Sequence, residues 1–258
     1  ETMINDVEKK KYILSSVDNV LNLLNLFFDY EELTVNDMAR LLSISRSTAF
    51  RFAVILENRG FLAKTDHASY RLGLNLFSLG MLAYNRMELV SVIHPHLQNL
   101  AEESGETCHL AMLDDAVHVM FIDRALGTNQ LKMETALGYR QYAHLTATGK
   151  AILAYQSEQT VNQYLKQAGF PQLTQHSLPH AAALLQMIDA IRQAGYACDD
   201  EEAEDGLTCY AVPLLDVTGR SYGAVSISGP TTRMKKNKES HIQRLQTMVA
   251  SVSKTLIP

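Results

Sequence analysis

Apolar positions along the chain recur first at a helical period and later at an alternating one, and the changeover divides the sequence. Residues 16 to 28, SVDNVLNLLNLFF, are apolar at 17, 20, 21, 24, 27 and 28. That spacing predicts a helix with one buried face and Ser16 as its N-cap. In TVNDMARLL, Thr34 and Asp37 stand at capping-box spacing before the short stripe Met38, Leu41, Leu42. SIS interrupts the pattern, and Ser45 is placed to cap a third helix. There Ala49, Phe52, Ala53 and Leu56 fall at i, i+3, i+4 and i+7, a buried face, and Gly60 suits the position just past its end. FLAKTD and SYRLGL read as two short strands around a polar bend. Three helices and a hairpin predict a winged helix-turn-helix over residues 1–72.

Leu74 to Met87, LNLFSLGMLAYNRM, is apolar at 74, 76, 77, 79, 81 and 82, a broader stripe than a lone surface helix carries. Residues 73–88 therefore read as a linker helix that also buries against a second copy. From residue 89 to 258 the pattern changes. Pro95 suits the first turn of a helix that runs to Ser104 and ends at Gly105. TCHLAMLD and VHVMFIDRA are strand-like around Asp114-Asp115, and LKMETAL reads as a third strand. Helices follow near TATGKAILAYQ, SEQTVNQYLKQAG and AALLQMIDAIRQAG. Strands return at YACD, LTCYAVPLLD and SYGAVSISG, and a last helix is expected from Lys238 to Leu256. Strands, then helices, then strands predict an α+β domain with an antiparallel sheet.

Charge sharpens the reading of the first domain. The chain carries a net −5, yet from Arg40 to Leu72 six cations (Arg40, Arg46, Arg51, Arg59, Lys64, Arg71) meet only Glu57 and Asp66. With 49, 52, 53 and 56 turned inward, the third helix presents Arg46, Ser47, Phe50, Arg51 and Val54. A major groove admits one helix, offers acceptors to arginine and methyl groups to apolar side chains. Ser45, Ser47, Thr48 and the helix start are placed to hold a phosphate, with Lys64, His67 and Arg71 in the wing beside the backbone or minor groove. Double-stranded DNA is the partner expected.

Composition excludes other classes. Three cysteines, none in a CxxC pair, read as a reducing, cytoplasmic chain without a disulfide framework or zinc knuckle. No apolar run approaches a membrane span, and the polar N-terminal stretch with Lys9, Lys10 and Lys11 is no signal peptide. Adjacent Cys108 and His109 point to opposite faces of a strand, poor geometry for a nucleophile and its base. His94-Pro95-His96 lacks a third ligand nearby, so no metal or cofactor is expected. Gly149-Lys150 is not a phosphate-binding loop, because His144 stands where that motif needs glycine.

SISRSTAFRF, LENRGFL and YRLGL, then GETCHLAML, HLTATGKAILA and CDDEEAEDGLTCYAVPLLDVTGRSYGAVSISGP, occur in order across the whole chain. In these segments it resembles the IclR family of bacterial transcriptional regulators. The resemblance implies an N-terminal winged helix, a linker helix and a C-terminal GAF-like effector domain, working as homodimers or dimers of dimers. It also implies an effector pocket: backbone amides of Ala147 and Thr148, Asp199 as a polar floor, Leu207, Cys209, Ser226 and Ser228 as lining, and Met133 and Gln141 in the wall. The chain departs from the pattern at Arg140-Gln141-Tyr142-Ala143, where the family usually has a proline and an apolar residue, and at Thr148, which adds a hydroxyl.

The residues support such a pocket on their own chemistry. Thr146 is placed to cap a helix whose free N–H groups and dipole favour an anion, and Gly149 would let a ligand approach the backbone. Alternation puts Ala224, Ser226 and Ser228 on one strand face, and Leu207, Cys209 and Ala211 on another. Two hydroxyls, an amide nest and one carboxylate suit a small organic or sugar acid whose hydroxyl donates to Asp199. The expected function is a DNA-binding regulator, a repressor of catabolic genes. The rival is a metabolite-processing hydrolase or isomerase using Asp199, Cys209 and the serines, with a helical oligomerisation module.

Overall fold

Caps legible in the sequence set where the N-terminal elements begin and end. The computed structural model describes residues 14–252, which part into two units between Arg86 and Met87. Lys9, Lys10, Lys11 and the expected helix end at Leu256 lie outside the described residues. The first unit runs α1 (Ser15–Asn25), a 3₁₀ turn (Leu26–Phe28), β1 (Leu33–Thr34), α2 (Val35–Leu41), α3 (Arg46–Asn58), β2 (Leu62–Lys64), β3 (Ser69–Leu72) and α4 (Leu74–Asn85). β3 pairs antiparallel with β1 on one side and β2 on the other. Thr34 and Asp37 close the capping box of α2. Past its end, Ser43 adopts the left-handed conformation (φ +54°), and Ile44 N–H reaches the Ala39 carbonyl at 3.0 Å. Ser45 Oγ accepts from Thr48 N–H at 3.1 Å to start α3. Gly60, at φ +71°, stops it, with Phe61 N–H donating to the Leu56 carbonyl at 2.8 Å.

Leu23, Met38, Ala49, Ala53, Leu56, Leu62 and Tyr70 make this unit's core, with Phe52 packed at its margin. α1 departs from expectation. Ser16 lies inside the helix and caps nothing; the N-cap is Leu14, whose carbonyl already accepts from Val17 and Asp18 N–H. Leu23, outside the expected stripe, is fully buried, whereas Val17, Leu21 and Phe28 are exposed. The helix carries apolar side chains on two faces, and only one meets the core. α4 buries no residue at all, and Leu74 and Phe77 are 82% and 68% exposed.

The second unit opens with α5 (Glu88–Ser104), so Pro95 sits in mid-helix and not in the first turn. Proline there removes one ladder hydrogen bond and crowds the preceding turn. The apolar face Val90, Ile93, Leu97, Leu100 and Ala101 continues through it, and burying that face outweighs the loss. Gly105 ends the helix at φ +73°. Six antiparallel strands follow, in spatial order β6-β5-β4-β9-β8-β7. They are β4 (Thr107–Leu113), β5 (His118–Ala125), β6 (Arg140–Tyr142), β7 (Ala197–Asp200), β8 (Leu207–Leu215) and β9 (Ser221–Pro230). Asp115 closes the β4–β5 hairpin by accepting from the N–H groups of Val117 and His118.

LKMETAL forms no strand: residues 131–137 are irregular, and Arg140–Tyr142 takes the sheet edge. Burial along it does not alternate: Thr135 is buried, whereas Leu131 and Leu137, which a strand would turn to the same side, are exposed. A 3₁₀ turn (Ala143–Leu145) leads into α6 (Ala147–Ala154), buried at every position and laid on β4, β8 and β9. α7 (Glu158–Gln167) and α8 (Ala181–Ala194) share its apolar cluster with Ala111, Ala211 and Ala224 of the sheet. A short α9 (Thr231–Lys236), not expected, precedes α10 (Lys238–Val252), which packs on α5 and on β8 and β9. The class is α+β, a helix-turn-helix unit followed by a curled antiparallel sheet with helices. Among the described residues no single helix is long and apolar enough to cross a membrane.

Candidate functional site

The first candidate is the outer face of α3. Arg46, Ser47, Phe50 and Arg51 are exposed, Phe50 by 52%, while Val54 is half-buried. An exposed phenylalanine between two arginines satisfies nothing inside its own unit. The hydroxyls of Ser47 and Thr48 gather on Ser45 Oγ, at 2.9 and 2.8 Å, which stiffens the helix start. A groove joins this face to the wing, lined by Arg46, Ser47, Phe50, Lys64, His67 and Tyr70. Arg51 and Arg71 are exposed but stand outside it. Its remaining wall, Thr34, Val35, Asn36 and Ala68, escaped the sequence reading. The capping box at Thr34 was the signal that could have found it, since a capped helix start aims N–H groups outward. Among the described residues, Arg40 is the one cation of this unit held in an ion pair, with Asp37 at 3.2 Å. Arg46, Arg51, Lys64 and Arg71 thus keep their charge for a partner.

The second candidate is a cavity of about 150 Å³ between the curled sheet, the start of α6 and the irregular segment before β6. Met133, Gln141, Ala147, Thr148, Asp199, Leu207, Cys209, Ser226 and Ser228 all line it. The strand register explains why residues so far apart in sequence meet. Asp199 of β7 stands opposite Cys209 of β8, Cys209 opposite Ser228 of β9, and Ser226 opposite His109 of β4. Ala211, expected on the same face, is fully buried and is not part of the wall.

Thr146 Oγ1 accepts from Gly149 N–H at 2.9 Å and so caps α6. The N–H groups of Ala147 and Thr148, in the first turn, have no carbonyl of their own helix to reach. Gly149 has a different task from the one expected. A Cβ there would lie 2.2 Å from the Ala143 carbonyl oxygen, so glycine is required by the close crossing of the 3₁₀ turn, not by a ligand.

Asp199 is buried, and its Oδ1 accepts from Glu202 N–H at 2.8 Å and Ala203 N–H at 3.4 Å. Burial lifts its carboxyl to about 7, with Lys150 pulling it down and Glu202 pushing it up. Behind it, Lys150 is fully buried and paired with Glu202. Among the described residues no lysine or arginine lines the cavity; the acidic side chains in its wall are Asp199 and Glu204. Arg140 at the departure from the family pattern is held by Asp114 and Asp115, and so braces Gln141 in the wall.

The sequence reading missed His109, Phe121, Thr135, Tyr139, Leu173, Ala203 and Glu204, which together with Thr146 complete the wall. His109 was read only against Cys108; its position opposite Ser226 needed the strand register.

Residues 16–66 match the IclR helix-turn-helix domain, and residues 81–254 match the C-terminal domain of the bacterial transcriptional regulator IclR. The chain belongs to the IclR family. The KdgR regulator of Dickeya chrysanthemi is 32% identical over 252 residues, 97% of this chain and 82% of the relative. The transcriptional repressor IclR of Escherichia coli K12 is 31% identical over 206 residues, 79% of this chain and 75% of the repressor. An IclR regulator from Silicibacter sp. TM1040 superposes with a TM-score of 0.82 at 26% identity, covering 94% of this chain and 98% of its own. As an IclR-family member, the chain is a DNA-binding transcriptional regulator whose C-terminal domain binds an effector.

Proposed function

We propose that this IclR-family chain represses catabolic genes as a cytoplasmic homodimer, that α3 enters the major groove, and that a small organic or sugar acid in the C-terminal cavity controls the complex. The observation that carries the DNA half is the exposed set Arg46, Ser47, Phe50 and Arg51, with Lys64 and His67 across the groove. Arg46 and Arg51 read or position bases, Phe50 meets a thymine methyl, and Ser45, Ser47, Thr48, Lys64 and Arg71 engage phosphates. The exposed apolar α4 fits a partner copy, and a dimer matches two half-sites.

In the cavity, the acid's carboxylate rests on the N–H groups of Ala147 and Thr148 at the positive end of α6. Asp199, Ser226 and Ser228 take its hydroxyl or keto oxygen, and Met133, Leu207, Cys209 and Gln141 shape the wall. Burial speaks against catalysis at the same place. It raises the Cys209 thiol well above its ordinary value, so no thiolate forms. Ser228 lies 3.5 Å from His109 Nδ1, but burial holds that imidazole down to about 4, too weak a base to activate a serine.

A promoter-DNA titration at two salt concentrations tests the reading. Phosphate contacts make affinity fall steeply as salt rises. Salt-independent affinity, or turnover of a bound acid, would favour the enzyme.

A further inference from the structure

Asp199 stands in the cavity wall at 2% exposure, and the N–H groups of Glu202 and Ala203 both fall on its Oδ1. Oδ2 receives neither, and is left as the oxygen able to carry a proton. Positive charge is scarce around it. Lys150 of α6, fully buried behind the floor, is already paired with Glu202, so one cation serves two carboxylates. Glu202 Oε2 finds no donor among the described residues. The other groups facing Asp199 add no cation. Cys209 lies opposite it on β8 with a thiol that burial keeps neutral, and burial likewise keeps His109 of β4 uncharged. Glu204 is a further acid in the wall, and Tyr139 brings a phenol. Asp200, turned to the other face of β7, is paired with Lys235 at 2.8 Å.

α6 packs directly on β7, so an anion at the start of that helix shares one enclosed space with Asp199. Like charges that close repel strongly where water is excluded, and a proton removes the repulsion. We infer that an anionic effector is bound together with one proton, held on Asp199 Oδ2, so that the regulator reads acidity along with the metabolite. This rests on reading the cavity as a carboxylate site. The charges balance: ionised Asp199, one anion and one proton leave the cavity with the charge it had before the anion entered. An uncharged ligand calls for no proton. Burial lifts the free Asp199 carboxyl to about 7, with Lys150 lowering it and Glu202 raising it. Affinity for the anion therefore falls about tenfold per pH unit above that value and levels off below it.

The test is calorimetric titration of the full chain with pyruvate, gluconate and benzoate, each beside its uncharged amide, at pH 6 and pH 8.5. An acid that binds at pH 6 should bind about thirtyfold more weakly at pH 8.5. Buffers of different ionisation heat at pH 8.5 should show close to one proton taken up per acid bound, and none per amide. Asp199→Asn keeps an N–H donor where the protonated acid has its O–H, and should bind the acid alike at both pH values with no proton taken up. Equal affinity at the two pH values in the unaltered protein overturns the inference, as does proton uptake that survives in Asp199→Asn. Should that variant fold poorly, the proton count of the unaltered protein decides: one supports the inference and none overturns it. If no acid binds at pH 6, the carboxylate reading itself fails. If acids bind without a proton, that reading stands and only the proton linkage falls.

Discussion

Arg46 stands exposed at the first turn of α3, and no acid competes for its guanidinium among the described residues. Arg46→Ala should weaken operator binding by about 1–3 kcal/mol in a gel-shift titration if it pairs with a base edge. Unchanged affinity would remove that contact. Asp199 is the residue whose protonation reports on the cavity. Its folded value near 7 lies above the ordinary carboxylate value, so the folded state holds a proton that the unfolded chain has released. The associated stability is complete below the unfolded value and is lost as pH rises through 7. Asp199→Asn should therefore gain stability relative to the unaltered chain from about pH 4 to about pH 7 and level off above, read by urea denaturation at each pH. Parallel curves would show that Asp199 ionises freely. In a DNA-release assay, Asp199→Ala should lose the effector's influence while operator affinity stays the same.

At the scale of elements, what the sequence disclosed was local. Thr34 with Asp37, Ser45, Gly60, Gly105 and Thr146 each act within a turn of themselves, and each sits where its neighbours require. Two elements depended on distant packing and were misread. Residues 131–137 alternate in sequence as a strand does but follow the cavity wall, and α5 tolerates Pro95 because its apolar face is anchored on β4 and β5. Pro95→Ala restores the missing N–H and should stabilise the C-terminal unit by up to about 3 kcal/mol in denaturant unfolding. A destabilised variant would mean that the proline bend itself is needed for packing.

At the scale of the molecule, the nine residues that the family resemblance named all line one cavity, because a shared fold fixes which strands lie side by side. It said nothing of His109, whose neighbours across the sheet are far off in sequence. Assembly is tested through α4. Leu74, Phe77 and Met81 recur on one side of that helix and all are exposed. Phe77→Ser with Met81→Ser should shift the chain toward monomer in sedimentation and weaken operator binding at least tenfold, since a monomer meets only one half-site. A dimer that persists would place the interface elsewhere.

That uncovered helix also bears on the life of the chain before it meets DNA. In the proposed homodimer that helix stays bare until two copies meet, and a bare apolar face is open to capture by other greasy surfaces. On that proposal, the rate at which copies encounter one another sets how much of the regulator reaches its usable form.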